Sequence, residues 1–410
     1  MPDPLRIGID VAQLSDHALT GIPLYIEGLL RELLPSAGSN GERFILVGSP
    51  RGADLPALLA ARGIAVSTDT GIVPAVDPRI GERFAAFRRL PGMASFARKW
   101  DGRVAIPAGV TLTTRKLTPP LDLFHHTSIL RVGPRAARRH IVTIYDLTAR
   151  FFPETHNRVN IFEWERVFAF ARDRADRVIT DSESARRDII EHLGVPPDRV
   201  RAIPLGLRPL PPVTPDDARR VVESHDLGGR RFVLAVASLE PRKNLPRLID
   251  AFAQITREPG NDDVCLALTG ARLHGVEAVE AAVARHGLGA RIRRTGYVSD
   301  ADLAALLGSC AVFAYPSLYE GFGLPVLEAM AAGAPVVTSN LSSLPEVAGE
   351  AALLVDPTDT DAIADGVRRL LADTALAAEC GRRGRARAAL FTNARTAEAH
   401  RRLYHEVAGA

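Results

Sequence analysis

Short hydrophobic runs alternate with longer stretches of helical periodicity along the first half of this chain. Each run is four to six residues long and ends at polar residues or proline, as buried parallel strands commonly do. The runs lie at residues 6–11, 44–47, 121–124, 140–144, 177–180 and 200–204. Amphipathic stretches at 23–34 and 159–174 fill two of the gaps between them. This alternation predicts a parallel sheet with helices on both faces.

The same pattern starts again after a proline-rich stretch at residues 207–215. The second set of runs lies at residues 232–237, 264–268, 292–295, 311–315, 334–338 and 352–355. We therefore expect an α/β protein of two Rossmann-like domains with a cleft between them. The predicted parts are a first domain at 1–206, a linker at 207–229, a second domain at 230–392 and a terminal helix at 393–410 that could pack back on the first domain. Residues 362–407 show helical patterns with an interruption at 391–393, where Thr392 or Asn393 is the candidate cap.

Length and composition bound the class of protein. A chain of 410 residues exceeds one ordinary hydrophobic core, and its 46% hydrophobic and 24% charged residues are typical of a globular protein. The net charge of +3 does not indicate nucleic-acid binding. No apolar run reaches the roughly 18 residues that span a bilayer, and no signal peptide precedes the first strand, so a cytoplasmic protein is predicted. Cys265, Cys310 and Cys380 lie far apart and predict buried reduced thiols, and no metal site is expected.

The segment from Glu320 to Glu328 combines a glycine-containing turn with a helix start. It follows the run at 311–315, and Pro325 is expected at the first helical position, where proline loses no hydrogen bond. Four free backbone N–H groups would then face a ligand, those of Gly321, Phe322, Gly323 and Leu324. Two carboxylates beside amide donors suit a ligand with hydroxyls and phosphates, and a nucleotide-sugar has both. The alternative is a helix N-terminus that its acidic first turn stabilises.

Two loops of the second domain add polar groups at the same predicted edge of its sheet. Arg242 and Lys243 come shortly after the run at 232–237, and cations at such a turn can meet a diphosphate. A solvated basic turn is the alternative interpretation. The loop with Tyr297 and Val298 follows the run at 292–295 and could hold a nucleobase by its backbone groups. Asp300 or Asp302, next to that loop, is more simply a helix cap.

With these residues in view, the second domain resembles the donor-binding half of the retaining, GT-B-fold glycosyltransferases of family four. The similarity rests on residues 236–244, 296–303 and above all 315–356, which contain the paired glutamates with seven residues between them. The sequence around the pair is most similar to bacterial mannosyltransferases and related hexosyltransferases that build surface polysaccharides. The resemblance implies that the second domain binds the donor and the first domain faces the acceptor.

The resemblance also implies a role for each matching residue. Glu328 would bind the ribose hydroxyls of the nucleotide, and Glu320 would lie near the transferred sugar and the reacting carbon. Lys243 would neutralise the leaving diphosphate, and the amides of 321–324 would hold phosphate and sugar oxygens. Many relatives carry an arginine where this chain has Ser238, which leaves Arg242 as the candidate substitute.

Metal chemistry is not expected from this sequence. Glycosyltransferases that use Mg²⁺ usually hold it through an Asp-X-Asp motif. The chain contains Asp359-Thr360-Asp361, but the motif precedes a predicted helix, where capping explains it. Without a metal ion, Arg242, Lys243 and the helix N-terminus would stabilise the negative charge of the leaving diphosphate. No cofactor is predicted, because the nucleotide-sugar is itself the substrate.

The first domain departs from the family at two positions. Relatives often carry a His-Asp pair at a strand end, whereas this chain has Tyr145 before Asp146. A phenol with a reference pKa of about 10 can orient a sugar but is a poor base near neutral pH. Tyr145 is thus either an orienting group or a core aromatic, and Asp146 is expected to be a structural cap. Gly21 belongs to the loop that lies near the donor phosphates in relatives, although Pro23 stands where a second glycine is common.

Residues 83–103 interleave aromatic and basic positions at three- and four-residue intervals. Such a segment can lie on an anionic membrane surface, and a helix that packs on its own domain has the same pattern. The membrane alternative would suit an acceptor carried on a lipid diphosphate, at the inner face of the cell membrane.

The residues and the family resemblance together predict a retaining, metal-independent hexosyltransferase that moves mannose from GDP-mannose to a hydroxyl of a growing saccharide, either free or lipid-linked. The alternatives are another donor, of the UDP-glucose type or dTDP-rhamnose, and a scaffold of the same fold that binds a nucleotide-sugar without efficient turnover. Epimerases and phosphorylases of this fold are less favoured, because the carboxylates and the cofactor lysine that they need are not found.

Overall fold

The computed structural model describes residues 3–15, 21–38, 41–48, 55–67, 70–73, 114–115, 117, 119–271 and 275–409. The chain divides into two compact units. The first comprises Met1–Asp181, Ala185–Gly206 and Asn393–Ala410, and the second comprises Ser182–Ser184 and Leu207–Thr392. The aromatic and basic segment 83–103 lies outside the described residues. Within the described part of the chain, no helix is long and apolar enough to cross a membrane.

The first unit is built on a parallel sheet of seven strands in the order β3-β2-β1-β4-β5-β6-β7. Its strands are β1 (Leu5–Asp10), β2 (Glu42–Val47), β3 (Gly71–Val73), β4 (Leu121–His126), β5 (Ala137–Thr143), β6 (Arg177–Thr180) and β7 (Val200–Ala202). All six runs predicted in this half are strands, which confirms the predicted parallel α/β arrangement. The short edge strand β3 was not predicted.

The second unit has a parallel sheet of six strands in the order β10-β9-β8-β11-β12-β13. Its strands are β8 (Phe232–Val236), β9 (Cys265–Thr269), β10 (Ile292–Gly296), β11 (Val312–Tyr315), β12 (Val336–Ser339) and β13 (Leu353–Val355). Each coincides with one of the predicted runs, shifted by at most two residues at an end. Both sheets are covered by helices, so the predicted fold of two Rossmann-like domains is confirmed.

The helices of the described residues follow the strands in alternation. In chain order they are α1 (Gly21–Leu33), α2 (Leu55–Ala61), α3 (Thr148–Phe151), α4 (Arg158–Asp173), α5 (Glu183–Leu193), α6 (Pro215–Ser224), α7 (Leu245–Ile255), α8 (Val276–His286), α9 (Asp300–Ser309), α10 (Leu324–Ala332), α11 (Leu344–Ala348), α12 (Thr360–Ala372), α13 (Thr374–Ala388) and α14 (Asn393–Ala408). The capping role predicted for the Asp-X-Asp motif is confirmed: Asp359 Oδ1 accepts hydrogen bonds from the amides of Asp361 and Ala362, at 2.8 and 3.2 Å.

The segment 207–229, expected as a linker, contains a helix. Thr214 caps α6 by accepting a hydrogen bond from the amide of Asp217, with Pro215 at the start of the helix. The helix packs against α9 and belongs to the second unit. Proline-rich sequence therefore marks only the first part of the segment, since proline is also well suited to a helix N-terminus.

Helix α14 follows the second unit in sequence but belongs to the first. It packs on α1, where the hydroxyl of Tyr25 is hydrogen-bonded to His400 Nε2 at 2.7 Å. Tyr404, fully buried, is hydrogen-bonded to His125 Nδ1 at 2.8 Å. The remaining nitrogen of His125 reaches Thr143 Oγ1 at 2.7 Å. These buried polar contacts fix α14 against the sheet because each would cost free energy if left unmade.

Candidate active site

The strand order of the second unit places two loops side by side. The sheet runs outward in one direction from β8 to β10 and in the other from β11 to β13, so the order reverses between β8 and β11. In open parallel sheets, ligands bind outside the carboxyl ends of the strands at such a reversal. The loop with Arg242 and Lys243 follows β8, and the loop with Glu320 follows β11.

The loop after β8 is pinned to its neighbours by its own backbone and one amide side chain. Residues Pro241–Lys243 form a single 3₁₀ turn, and Asn244 follows in the left-handed conformation at φ 59°. Asn244 Nδ2 donates to the carbonyl oxygens of Pro316 and Pro357, at 3.1 and 2.7 Å. The amide of Leu318 donates to the carbonyl of Arg242 at 2.8 Å. The two loops are thus held in one arrangement, with both cations on the ligand edge.

Glu320 lies at the centre of a dense polar cluster and is 8% exposed. Its Oε1 accepts hydrogen bonds from Lys243 Nζ at 2.6 Å, from Ser317 Oγ at 2.7 Å and from the Tyr315 hydroxyl at 2.9 Å. Its Oε2 accepts from Arg242 Nη1 at 2.8 Å. Lys243 Nζ also donates to the Tyr315 hydroxyl at 2.6 Å. The sequence-predicted Glu320, Lys243 and Arg242 are therefore in direct contact.

The charges in this cluster support one another. Burial opposes ionisation of Glu320, but the positive charges of Lys243 and Arg242 and the hydrogen bonds from Lys243 and Ser317 outweigh it and lower the pKa of Glu320 to about 2. Burial lowers the pKa of Lys243, which the charge of Glu320 partly offsets. A carboxylate with so low a pKa remains ionised at neutral pH. Its chemistry here is electrostatic and not that of a proton donor.

Ser238 reaches the cluster through Glu240, a residue that the sequence analysis missed. Ser238 Oγ donates to Glu240 Oε1 at 2.8 Å, and Arg242 Nε donates to Glu240 Oε2 at 3.0 Å. Arg242 is consequently held between the carboxylates of Glu240 and Glu320. This geometry fits Arg242 as the residue that supplies the positive charge where relatives have an arginine at the Ser238 position. The only sequence signal for Glu240 is its place two residues before Arg242.

The glycine turn after Glu320 opens α10 without a side-chain cap. Gly323 stands before the helix at φ 113°, a conformation that glycine adopts readily, and the helix begins at Leu324. Pro325 is therefore the second helical residue. The prediction that it is the first helical residue was wrong by one position. The Phe322 ring is buried against Phe391 at a centroid distance of 5.8 Å, so only its backbone is available to a ligand.

Serines that the motif did not reveal hold this turn from the loop after β12. Ser342 Oγ donates to the carbonyl of Glu320 at 2.5 Å and accepts from the Glu320 amide at 3.0 Å. Ser343 Oγ is within 2.9 Å of the Glu320 carbonyl and 2.6 Å of the Phe322 carbonyl. These hydrogen bonds fix the backbone of the turn that carries the amides of residues 321–324.

Glu328, on α10, is 8% exposed, and no described residue donates a hydrogen bond to its carboxylate. Burial raises the pKa of Glu328 to about 7, with the charge of Arg208 acting against the rise and that of Asp300 adding to it. Arg208 and Asp300 form an ion pair, in which Arg208 Nη2 donates to Asp300 Oδ1 at 2.6 Å. The prediction that Asp300 or Asp302 caps α9 was wrong, because Ser299 Oγ accepts the capping hydrogen bond from the Asp302 amide at 3.1 Å.

Among the described residues, the hydrogen bonds of the Glu320 cluster do not include three predicted site residues: Tyr297 and Val298 of the second unit, and Gly21 of the first. Tyr297, 68% exposed, and Val298, half-buried, follow the edge strand β10. Gly21, the first residue of α1, is exposed, and a Cβ there would meet no atom of the described residues within 4 Å. Neither packing nor backbone conformation in the described residues demands glycine at that position.

Tyr145, in the first unit, has its hydroxyl engaged by the protein. The hydroxyl donates to the carbonyl of Thr127 at 2.5 Å, and the ring packs edge-on against Tyr25 at a centroid distance of 5.6 Å. Burial raises the pKa of Tyr145 well above its usual value. This environment is that of the core aromatic considered as the alternative. Asp146 Oδ1 accepts from the amide and hydroxyl of Thr148 at the start of α3, which confirms its structural role.

No group of three or more His, Cys, Asp or Glu side chains in the described ranges could hold a metal ion. Cys265, Cys310 and Cys380 are buried and unpaired, as predicted. The arrangement that remains is a patch of two cations, a carboxylate between them and the backbone amides that open α10. Such a patch can bind and stabilise the negative charge of a phosphate-containing ligand.

Comparison with known proteins gives two family matches. Residues 219–387 match the family described as Glycosyl transferases group 1, and residues 54–209 match Glycosyltransferase Family 4. The chain is 34% identical over 260 residues to the O-antigen chain mannosyltransferase B of Escherichia coli, covering 63% of this chain and 68% of that protein. It is 34% identical over 215 residues to the MMP alpha-(1->4)-mannosyltransferase of Mycolicibacterium hassiacum, covering 52% of this chain and 49% of that one.

Solved structures share the architecture across the whole chain. The crystal structure of Anabaena HepE in complex with UDP and glucose aligns with a TM-score of 0.72 and 19% sequence identity. The alignment covers 98% of this chain and 100% of HepE. At this level of identity the likeness concerns the fold.

Proposed function

The chain belongs to the glycosyltransferases of group 1 and family 4, and we propose that it transfers mannose from GDP-mannose to a hydroxyl of a growing polysaccharide. The observation that carries the proposal is the contact of Lys243 and Arg242 with Glu320 beside the amides that open α10. Two relatives that transfer mannose, at 34% identity each, support the choice of sugar.

In the proposed reaction, the diphosphate of the donor lies against Lys243, Arg242 and the amides of residues 321–324. The bond between the anomeric carbon and the diphosphate oxygen breaks, the acceptor hydroxyl oxygen forms a bond to the same carbon, and its proton passes to the leaving diphosphate, on which negative charge develops. Positive groups that are already in place stabilise this charge without reorganisation, and stabilisation of this kind usually contributes most to enzymatic rate enhancement. Because Glu320 accepts one hydrogen bond from each cation and is itself held by Tyr315 and Ser317, we assign it the orientation of the cations and contact with the transferred sugar.

We further propose retention of the anomeric configuration and independence of metal ions. Both carboxylate oxygens of Glu320 already accept hydrogen bonds, which disfavours Glu320 as a covalent nucleophile and supports attack and departure on the same face of the sugar. Proton magnetic resonance of the product made from GDP-α-mannose would show an α linkage. A β linkage would overturn this part of the proposal.

The donor is tested by thermal unfolding with GDP, UDP, dTDP and ADP and their common sugars, each with EDTA and with Mg²⁺. A ligand that binds only the folded protein raises its unfolding temperature by mass action. We expect a GDP-selective shift that EDTA does not remove and that Glu328→Ala reduces. A shift selective for UDP or dTDP would show that the donor is a sugar of that nucleotide and not GDP-mannose. If the protein binds a nucleotide-sugar but turns none over, it is better described as a scaffold of the same fold.

We propose, last, that the enzyme is cytoplasmic and that residues 83–103 bring it to the membrane that carries its acceptor. Vesicles of phosphatidylglycerol mixed with phosphatidylcholine should sediment the protein, and vesicles of phosphatidylcholine alone should not. Replacement of the six basic residues of the segment by glutamine should abolish sedimentation. Equal sedimentation of both proteins would rule out this role.

A further inference from the structure

Several carboxyl groups meet at the carboxyl edge of the sheet in the first unit. Asp10 ends β1, Asp146 follows β5 by three residues, and Asp181 directly follows β6. Strands β1, β4, β5 and β6 are consecutive neighbours, and all are parallel. The side chains after these strands therefore lie at one edge, which is the ligand edge of such a sheet.

Two of these carboxyl groups have partners within the protein. Asp10 accepts a hydrogen bond from the amide of Ala12 at 3.0 Å and one from Ser128 Oγ at 3.2 Å. The charge of Arg131 also acts on Asp10. Asp146 accepts two hydrogen bonds from Thr148, at 2.8 and 2.6 Å. Fold stability alone accounts for these contacts.

Asp181 differs from both. It is 3% exposed, and its Oδ1 is buried with no hydrogen-bond partner. No cation among the described residues pairs with it; burial and the negative charge of Asp146 raise the pKa of Asp181 well above its usual value. Leaving a buried polar group unsatisfied costs free energy, so an unpartnered group in a folded protein has a specific reason such as a ligand.

Tyr25 and Tyr145 do not hydrogen-bond Asp181, because each of their hydroxyls has another partner. The charge of Asp181 acts on Tyr25 and Tyr145. The Tyr25 hydroxyl is hydrogen-bonded to His400 Nε2 at 2.7 Å, and the Tyr145 hydroxyl donates to the carbonyl of Thr127 at 2.5 Å. Tyr145 and Asp181 follow the paired strands β5 and β6, and Tyr25 packs edge-on against Tyr145 at a centroid distance of 5.6 Å, so aromatic side chains and the carboxyl group share one part of the sheet edge. A carboxyl group with two aromatic rings suits an uncharged ligand that is apolar on its faces and carries hydroxyls on its edge.

We infer that Asp181, beside Tyr25 and Tyr145 at the carboxyl edge of the first unit, binds a hydroxyl group of the saccharide acceptor. The inference rests on the proposed function and names a group that recognises its second substrate. A protonated carboxyl group both donates and accepts a hydrogen bond, as a sugar hydroxyl does. A phosphate would instead be repelled by Asp10 and Asp146. A divalent ion lacks a ligand set among the described residues.

The test compares Asp181→Ala and Asp181→Asn with Asp198→Asn, a change at an exposed aspartate of the same unit. The acceptor probe is α-mannobiose, and the donor is GDP-mannose. We expect Asp181→Ala to raise the KM for mannobiose about tenfold, the effect of losing one hydrogen bond at a buried site, with the KM for GDP-mannose unchanged. Asp181→Asn should raise it less, because the amide keeps a donor and an acceptor. Acceptor KM values within twofold of Asp198→Asn for both variants would overturn the inference.

Direct binding separates this inference from the proposed function. Saturation-transfer magnetic resonance measures contact between mannobiose and the protein without any turnover. If the wild type turns over no donor but binds mannobiose, and Asp181→Ala loses that binding, the proposed function fails and the site stands. If the wild type turns over GDP-mannose and the Asp181 variants bind mannobiose as it does, the site fails alone. Thermal unfolding identifies a variant that has not folded, and Asp181→Asn, which keeps the shape, then decides.

Discussion

Lys243 Nζ lies 2.6 Å from Glu320 Oε1, although 77 residues separate the two in sequence. The contact exists because β8 and β11 are neighbours in the sheet while their loops belong to different βα units. Arg242 reaches the other oxygen of the same carboxylate at 2.8 Å. One buried anion thus holds two cations at the edge of the sheet where an anionic ligand would bind.

Removal of this anion should cost more stability than removal of either cation. Glu320→Gln leaves the buried Lys243 without its ion-pair partner and leaves Arg242 with Glu240 as its remaining carboxylate, and we expect a loss of about 3 kcal/mol in the free energy of unfolding. Lys243→Met leaves Glu320 with Arg242, Ser317 and Tyr315, so its loss should be smaller. Urea denaturation at pH 7 measures both. Turnover should fall about 100-fold in each variant, and an equal or reversed order of stabilities would contradict the proposed arrangement.

Glu328 should make stability depend on pH. Its pKa is about 7 in the folded protein against an ordinary value of 4.5, so the folded state binds the additional proton between these values. Stability therefore falls as the pH rises from about 4.5 to 7, and the whole penalty, at most about 3 kcal/mol, is present above pH 7. Glu328→Gln should be more stable than the wild type at pH 8 and equal to it near pH 4.5. The exposed Glu350, changed to Gln, is the control and should show no such difference.

The same residue should also set the pH dependence of nucleotide affinity. If the ionised carboxylate binds the ribose hydroxyls, GDP should bind more tightly at pH 8 than at pH 6. Isothermal titration calorimetry measures this change, which Glu328→Ala should abolish together with most of the affinity. In Glu320→Ala, by contrast, turnover should fall more than GDP affinity. Equal losses of affinity in the two variants would refute the division of roles between the glutamates.

Tyr145→Phe should distinguish two roles of the Tyr145 hydroxyl, stabilisation of the fold and orientation of the donor. The substitution removes the hydrogen bond to the carbonyl of Thr127 and should lower the free energy of unfolding by about 1 kcal/mol, with GDP affinity unchanged. Tyr297→Phe, at a side chain that is 68% exposed, should leave stability unchanged. Weaker GDP binding by Tyr145→Phe at unaltered stability would restore the orienting role for this residue.

Gly323→Ala tests the turn that opens α10. Gly323 has φ 113°, and a Cβ there would lie 2.7 Å from Leu344 Cδ2, so we expect a loss of more than about 1 kcal/mol. Gly21→Ala, in a first helical residue with open space around it, should be neutral or stabilising. Thermal unfolding compares the two. A Gly323→Ala protein as stable as the wild type would show that the turn can relax without the glycine conformation.

The parts of this molecule that follow from sequence are those with a local cause. Strands such as β6 appear in the sequence as hydrophobic runs, and the turn at residues 320–325 follows from glycine, proline and a helix pattern. The contacts of Tyr315, Glu240 and Arg208 could not be predicted from local sequence patterns. They depend on which strands and helices become neighbours, and no local pattern specifies that order. Edge strand β3 contributes only two apolar side chains, Ile72 and Val73, and Pro74 follows them directly in the sequence, so it gives no distinct hydrophobic run.

The same limit explains the errors around the segment 207–229 and Asp300. A proline-rich stretch is compatible with a loop or with a helix start, and packing against α9 selects the helix here. Asp300 was a reasonable cap by residue type, yet Ser299 occupies the capping position and Asp300 is engaged by Arg208, which lies 92 residues earlier. Both outcomes were determined by partners that are distant in sequence.

Helix α14 gives this protein an unusual order of completion during synthesis. The ribosome makes residues 207–392, and with them the whole six-stranded sheet of the second unit, before it makes the helix that His125 and Tyr25 of the first unit require. The nascent first unit therefore lacks α14, and part of its apolar surface stays uncovered, during the time in which the second unit is able to fold. A late nonsense mutation that removes only α14 would spare every residue of the Glu320 cluster and still damage the opposite half of the molecule.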